Sequence, residues 1–214
     1  MWYSWVVNIG IVGSGRIGGA LARRLTTLGH HVTVANSRGP ESLALLAEET
    51  GATAGTVADA AGAELVVIAI PVRAVPDLPA DAFAGTVVVD ANNYYVGRDG
   101  DIPEIASGRV TSSRWTADRL AGARVVKAFN TIHALHLFGY GQPSGTLGRI
   151  ALPVAADDEE AKRLVMSIVD ELGFEPVDAG SLDESWRQEP DTPVYGADWD
   201  ASGVRAGLAT ATRP

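Results

Sequence analysis

Short apolar runs that do not alternate with polar residues recur along this chain, and they constrain its fold more than any other feature. LVVIAI at 65–70, TVVVD at 86–90 and VVKA at 125–128 all have the length of a strand. A strand covered on both faces reads this way, and such strands build a parallel sheet wrapped in helices. Helical patterns lie between the runs. Over 16–28, Ile17, Ala20, Leu21, Leu25 and Leu28 fall on one face, and Gly29 stands where a helix stops. HVTVA at 31–35 reads as a strand, Pro40 opens a helix over 41–49, and Gly51 closes it. A further helix is predicted near 113–120. Residues 150–155 and 174–177 read as two more strands, with a helix over 157–172 between them. That helix has DDEE at its first turn and Gly173 after its end. Strands and helices thus alternate from residue 6 to about 178. The pattern predicts an α/β chain with a doubly wound sheet of six parallel strands and extra strand–helix–strand units over 150–178. Residues 1–180 are expected to form the domain. Residues 181–214 are expected to be an irregular tail packed on it, with a short helix near 204–211.

Composition narrows the function. The chain has 214 residues, 17 basic and 26 acidic, for a net charge of −9. Such a surface repels phosphate backbones and anionic lipid, so neither nucleic acid nor a membrane is an expected partner. There is no cysteine, which excludes a disulfide framework, thiolate metal clusters and a cysteine nucleophile, and fits a reducing compartment. No apolar run approaches the ~20 residues of a membrane helix. The opening MWYSWVVNIG lacks the pattern of a signal peptide. A cytoplasmic location is the expectation.

The strongest chemical signal is GSGRIG at 13–18. It follows one predicted strand, opens a helix and is followed by a second strand, the context in which such a loop binds a dinucleotide. The fold expected is then the NAD(P)-binding Rossmann fold. Gly13 would make the tight turn, Gly15 would let a pyrophosphate approach the backbone, and Gly18 would bring helix and strand close. The N–H groups of the helix start would face the anion. At the end of the second strand an NAD site would carry Asp or Glu. This chain has Asn36, Ser37 and Arg38 there, with no acid before Glu41. A guanidinium fork and a hydroxyl suit a 2′-phosphate that a carboxylate would repel. NADP is therefore the expected cofactor, and a plain solvated loop charge is the alternative for Arg38.

With these residues in place, the chain resembles the NADP oxidoreductases dependent on the deazaflavin coenzyme F420. It is also similar to the cytosolic NADPH-binding domain of the six-transmembrane metalloreductases. The segments that carry the resemblance are IGIVGSGRIG at 9–18, ANSRG at 35–39, IPV at 70–72, VVKAFNTI at 125–132 and the stretch from LPVAADDEEAK to VDAG at 152–180. The resemblance implies hydride exchange between NADPH and a flat acceptor, coenzyme F420 or a flavin, lying on the nicotinamide. It places Ser14, Gly15, Arg16 and Ile17 on the pyrophosphate, and Ser37 with Arg38 on the 2′-phosphate. Ile70, Pro71 and Val72 would lie along the dinucleotide, and Asn130, Thr131 and His133 where the acceptor stacks. The chain departs from the deazaflavin enzymes in having Asn130 where they have histidine and His133 where they have proline. The metalloreductases share the asparagine. SWRQEPDTPVYGADWD at 185–200 replaces a hydrophobic C-terminal helix.

Other residues carry alternatives. Asn92 and Asn93 follow a strand end, where they could hold the nicotinamide carboxamide or serve as turn formers. His133 and His136 are too few for a metal site. Lys127, inside a buried run, calls for an acidic partner. Trp186, Arg187 and Tyr195 could close over the acceptor or seal an interface, and Trp2, Tyr3 and Trp5 could anchor a sheet edge or a homodimer. The expected partner is a small-molecule or cofactor-like acceptor. A flavin, a ferric chelate, or an imine or ketone is the alternative, the last needing His133 or Tyr195 as proton donor. A non-catalytic NADP sensor is the other reading.

Overall fold

The structure is a computed structural model and describes residues 6–213. The chain runs β1 (Asn8–Val12), α1 (Arg16–Thr27), β2 (His31–Ala35), α2 (Ala44–Thr50), β3 (Thr53–Ala54), α3 (Val57–Ala61) and β4 (Leu65–Ile68). It continues through β5 (Val87–Asp90), α4 (Val96–Asp99), α5 (Pro103–Ala106), α6 (Ser112–Arg119), β6 (Arg124–Lys127) and α7 (Ala134–Gly139). β7 (Ala151–Ala156), α8 (Glu159–Glu171), β8 (Glu175–Asp178) and α9 (Ala201–Thr210) complete it. The eight strands form one sheet in the order β3-β2-β1-β4-β5-β6-β7-β8. The first six are parallel, as the apolar runs predict. One of these six, the two-residue β3, is too short to leave a pattern in the sequence. The helix expected over 41–49 is a 3-10 turn, Pro40–Leu43, leading into α2.

The uninterrupted runs have the predicted cause. Leu65 and Val67 face one apolar core, formed with α1 and α8, while Val66 and Ile68 face the other, with Phe83, Trp115 and Leu120. Val88 and its neighbours Val87 and Val89 divide in the same way.

At the C-terminal end the parallel expectation needs correcting. β7 runs antiparallel to β6, pairing Val126 with Ala156 and Lys127 with Ala155, and β8 then runs parallel to β7. After β6 the chain enters α7, whose six residues rise only about 9 Å. A loop then delivers it to β7 at the end where β6 stopped, so without a crossover the next strand must run back. The tail is more regular than expected. A 3-10 segment, Leu182–Gln188, crosses the end of the sheet, and α9 covers the outer strands. Val194, Val204 and Leu208 bury a small core there with Ala151, Ala155 and Val177.

One buried ion pair ties the strand ends that carry the site. The side chains of Lys127 and Asp90 are fully buried, 3.5 Å apart. Lys127 Nζ also donates to the carbonyl of Asn92, while Asp90 accepts from Ser113 Oγ (2.7 Å) and the Asn92 N–H (3.0 Å). This is the acidic partner that the sequence calls for. Lys127→Ala would strand Asp90 as an unpaired buried charge, and a loss of roughly 3–5 kcal/mol is expected. Pairing Lys127→Met with Asp90→Asn should recover part of it. Urea unfolding of the two variants checks this.

Candidate functional site

The site lies at the C-terminal ends of β1, β2, β4 and β5, starting at the glycine loop. Gly13 has a φ of +118°, and a Cβ there would sit 2.3 Å from the Ala69 carbonyl. A Cβ on Gly18 would come within 1.8 Å of the Gly13 carbonyl, so α1 lies against the loop with no room for a side chain. Gly15 differs from both. Its φ is −74° and nothing lies within 4 Å of where a Cβ would be. Neither backbone nor packing calls for glycine there, so the open space over it is what remains for the residue to provide. The start of α1 has no side-chain cap and no acidic residue in its first turn. Its N–H groups and positive dipole end are therefore free for an anion. These features fit the diphosphate of a dinucleotide.

Two adjoining cavities continue from this point and share Gly15, Ala69, Ile70 and Pro71. The first, about 560 Å³, is lined by Gly13, Ser14, Asn36, Ser37 and Arg38. The side chains of Ser37 and Arg38 are exposed at its rim. Asn36 works within the protein, donating to Ser14 Oγ (3.1 Å) and Ser42 Oγ (2.9 Å) and accepting from the Arg38 N–H (2.8 Å). It holds the loop that presents Arg38.

The second cavity, about 480 Å³, is bordered by Arg16, Ile17, Asn92, Phe129, Asn130, Ile132, His133 and Tyr195 among others. Asn92 is buried, and its Oδ1 accepts from the Ile70 N–H at 2.8 Å, which fixes the amide's orientation. Its Nδ2 is left without a partner. A buried donor left unpaired costs about 1–3 kcal/mol, and a ligand carbonyl would relieve that cost. Asn130 is bound on every side. Its Nδ2 donates to Asn93 Oδ1 (3.0 Å) and the Gln188 carbonyl (2.6 Å), and its Oδ1 accepts from Gln188 Nε2 (3.0 Å). Its amide therefore docks the tail beneath the cavity. Phe129, ahead of it, takes a left-handed φ of 61°, uncommon for an aromatic residue, where the chain turns off β6.

Three other residues from the expected set stand behind the cleft. Gly18 is spent on packing, Val72 is fully buried in the core, and Thr131 is buried with its carbonyl accepting from the Gly196 N–H. His133 stands at the N-terminal boundary of α7, makes no capping hydrogen bond with its side chain, and is exposed on the cavity. His136 is turned away, its Nδ1 2.5 Å from Asp198 and its ring stacked on Tyr140. Among the described residues, no group of three or more His, Asp or Glu could hold a metal. No helix among them is long and apolar enough to cross a membrane.

Of the tail group, Tyr195 reaches the cavity, while Trp186 lies elsewhere, between Arg187 and Arg213. Trp2, Tyr3 and Trp5 fall outside the described residues. Two residues on the cavity, Tyr95 and Arg98, escape the sequence reading. The Tyr95 hydroxyl is hydrogen-bonded to that of Tyr195, joining the β5–α4 loop to the tail. Burial, with the Tyr95 hydroxyl beside it, raises the Tyr195 phenol well above its ordinary value. Arg98 is paired with buried Asp99 at 2.9 Å and lies over the Tyr95 ring. The signal was NNYYVGRD directly after a strand end, but only the asparagines stood out from ordinary turn residues.

Residues 8–94 match the family model described as NADP oxidoreductase, coenzyme F420-dependent. The chain is 30% identical over 177 residues, 82% of its length, to the metalloreductase STEAP3 of Rattus norvegicus, of which it covers 34%. It spans less than half the length of the curated relatives it matches. Among solved structures, it is similar to the hypothetical protein SMa0349 of Sinorhizobium meliloti. The TM-score is 0.73 at 32% identity, with 92% of each chain covered. It is also similar to a protein from Arthrobacter sp. FB24 described as a candidate F420-dependent NADP reductase. There the TM-score is 0.69 at 27% identity, covering 82% of this chain and 86% of that one.

The glycines should separate by experiment. Gly15→Ala is expected to change unfolding stability by no more than about 0.5 kcal/mol. It should nonetheless weaken NADPH by about tenfold or more, because the added methyl occupies the diphosphate's space. Gly18→Ala should instead lower the unfolding midpoint. Thermal melts and fluorescence titration with NADPH read the two effects.

Proposed function

We propose that this chain, whose residues 8–94 match the model of the coenzyme F420-dependent NADP oxidoreductases, exchanges hydride between NADP(H) and a deazaflavin or flavin-like acceptor. The observation that carries the reading is the open space over Gly15 at the uncapped start of α1, with Arg38 exposed beyond the end of β2. The diphosphate would rest on the N–H groups of that helix start. Ser37 and Arg38 would take the 2′-phosphate, and Asn92 Nδ2 the carboxamide oxygen of the nicotinamide.

When bound, NADPH supplies a hydride equivalent at its nicotinamide ring. The chain's own part is to position two rings and keep them in register, which by itself can contribute several kcal/mol to such a transfer. Ile70, Pro71 and Ile132 offer apolar surface for the rings, and the Asn130–Gln188 bonds hold the acceptor side of the cavity in shape. A homodimer belongs to the same proposal, supported by the apolar side chains Leu135 and Phe138 left exposed on α7.

Arg38→Ala is expected to weaken NADPH about 10- to 100-fold, the loss of one charge-assisted contact of roughly 1.5–3 kcal/mol, and to spare NADH. Calorimetry with both nucleotides checks this, and equal effects on the two would contradict the assignment of Arg38. Turnover is tested by following the nicotinamide absorbance with deazaflavin, flavin and ferric acceptors. Binding of NADPH without its oxidation by any of them would favour a sensor instead.

A further inference from the structure

The cavity beside the glycine loop has a feature that hydride exchange between two flat rings does not require. Two phenols from distant parts of the chain, Tyr95 and Tyr195, meet hydroxyl to hydroxyl on its wall. Tyr195 is half-buried, and Tyr95 lies nearer the solvent. We propose that Tyr195 is a proton donor and that this site also reduces aldehydes or ketones to alcohols, with Tyr95 returning the proton from solvent. The proposal rests on the nucleotide reading above and adds a second class of acceptor to it.

In this step the carbonyl carbon would gain a C–H bond from the hydride equivalent that bound NADPH supplies, which leaves NADP+, and the C=O π pair would move to oxygen. That oxygen takes the proton of Tyr195 Oη. Tyr195 recovers a proton from Tyr95 Oη, and Tyr95 from water at the rim. One NADPH and one proton are consumed for each alcohol formed.

The charge around the cavity selects a carbonyl over an imine. Among the described residues, no carboxylate lines it, whereas two arginines do. Arg98 is neutralised by Asp99 at 2.9 Å, and Arg16, at the start of α1, is the arginine that the resemblance sets on the diphosphate. An iminium substrate is a cation and would find no carboxylate on the lining to pair with. A carbonyl becomes more negative at oxygen as hydride arrives, and that charge is favoured there. A protonated phenol matches the need, since it stays neutral and holds its proton until a basic oxygen forms beside it.

The test uses the full chain with NADPH and a panel of small aldehydes, ketones and preformed cyclic imines. NADPH oxidation should occur with carbonyls, and Tyr195→Phe should slow it by roughly 10²- to 10⁴-fold. Tyr95→Phe should give a smaller loss. A readout independent of turnover is tyrosinate absorbance in the unliganded protein. Tyr195→Phe should remove a phenol that ionises above the ordinary range, and Tyr95→Phe should move that ionisation down. The dissociation constant for NADPH, unchanged in both variants, shows that they remain folded. If wild-type protein binds NADPH but oxidises it with no carbonyl, or with imines only, the inference fails and the nucleotide reading stands. Tyr195→Phe turning over carbonyls within twofold of wild type overturns the donor. No binding of NADPH at all overturns both readings.

Discussion

The close approach of α1 to the end of β1 is the constraint on which the rest of this molecule depends. With no atom beyond Cα at residue 18, the helix rests on the Gly13 carbonyl, and its first N–H groups open into the cleft instead of into protein. The sheet supports that arrangement from below. Ala60 packs so tightly on β1 that a Cβ at Gly10 would lie 2.0 Å from its carbonyl. The Lys127–Asp90 pair, fully buried, joins β5 to β6 just where the loops bearing Asn92 and Asn130 leave the sheet. The cavity is thus shaped by backbone contacts and one buried charge pair.

The part of the cleft that we assign to the nucleotide was readable in the sequence because it depends on residues that local chemistry singles out. Glycines at 13, 15 and 18 and the acid-free NSR turn each have a reason that needs no knowledge of distant contacts. The same holds for the strands, since a run buried on both faces carries its own signature. The two-residue β3 was too short to have one. The reversal at β7 lay in the shortness of α7, which a helical pattern does not measure well at its ends.

The acceptor half was less legible because it is built by long-range pairing. Asn130 looks like a ligand in VVKAFNTI, yet its amide is taken up by Asn93 and by Gln188, 58 positions away. Tyr195 could be suspected from its setting among aromatic and basic residues, but nothing local predicts that it meets Tyr95. The tail after residue 180 is where this chain departs from the deazaflavin enzymes that it resembles, and it brings Gln188 against Asn130 and Tyr195 to the cavity. Differences in acceptor between relatives of one nucleotide-binding scaffold would follow naturally from that arrangement, since sites change faster than folds.

The central claim is that the cleft was shaped around a dinucleotide with a 2′-phosphate. Isothermal titration of the unmodified protein with NADPH and with NADH at one salt concentration tests it most directly. The account predicts one NADPH per chain, bound at least about tenfold more tightly than NADH, a difference of roughly 1.4 kcal/mol. Equal affinity for the two nucleotides, or no heat with either, would contradict it.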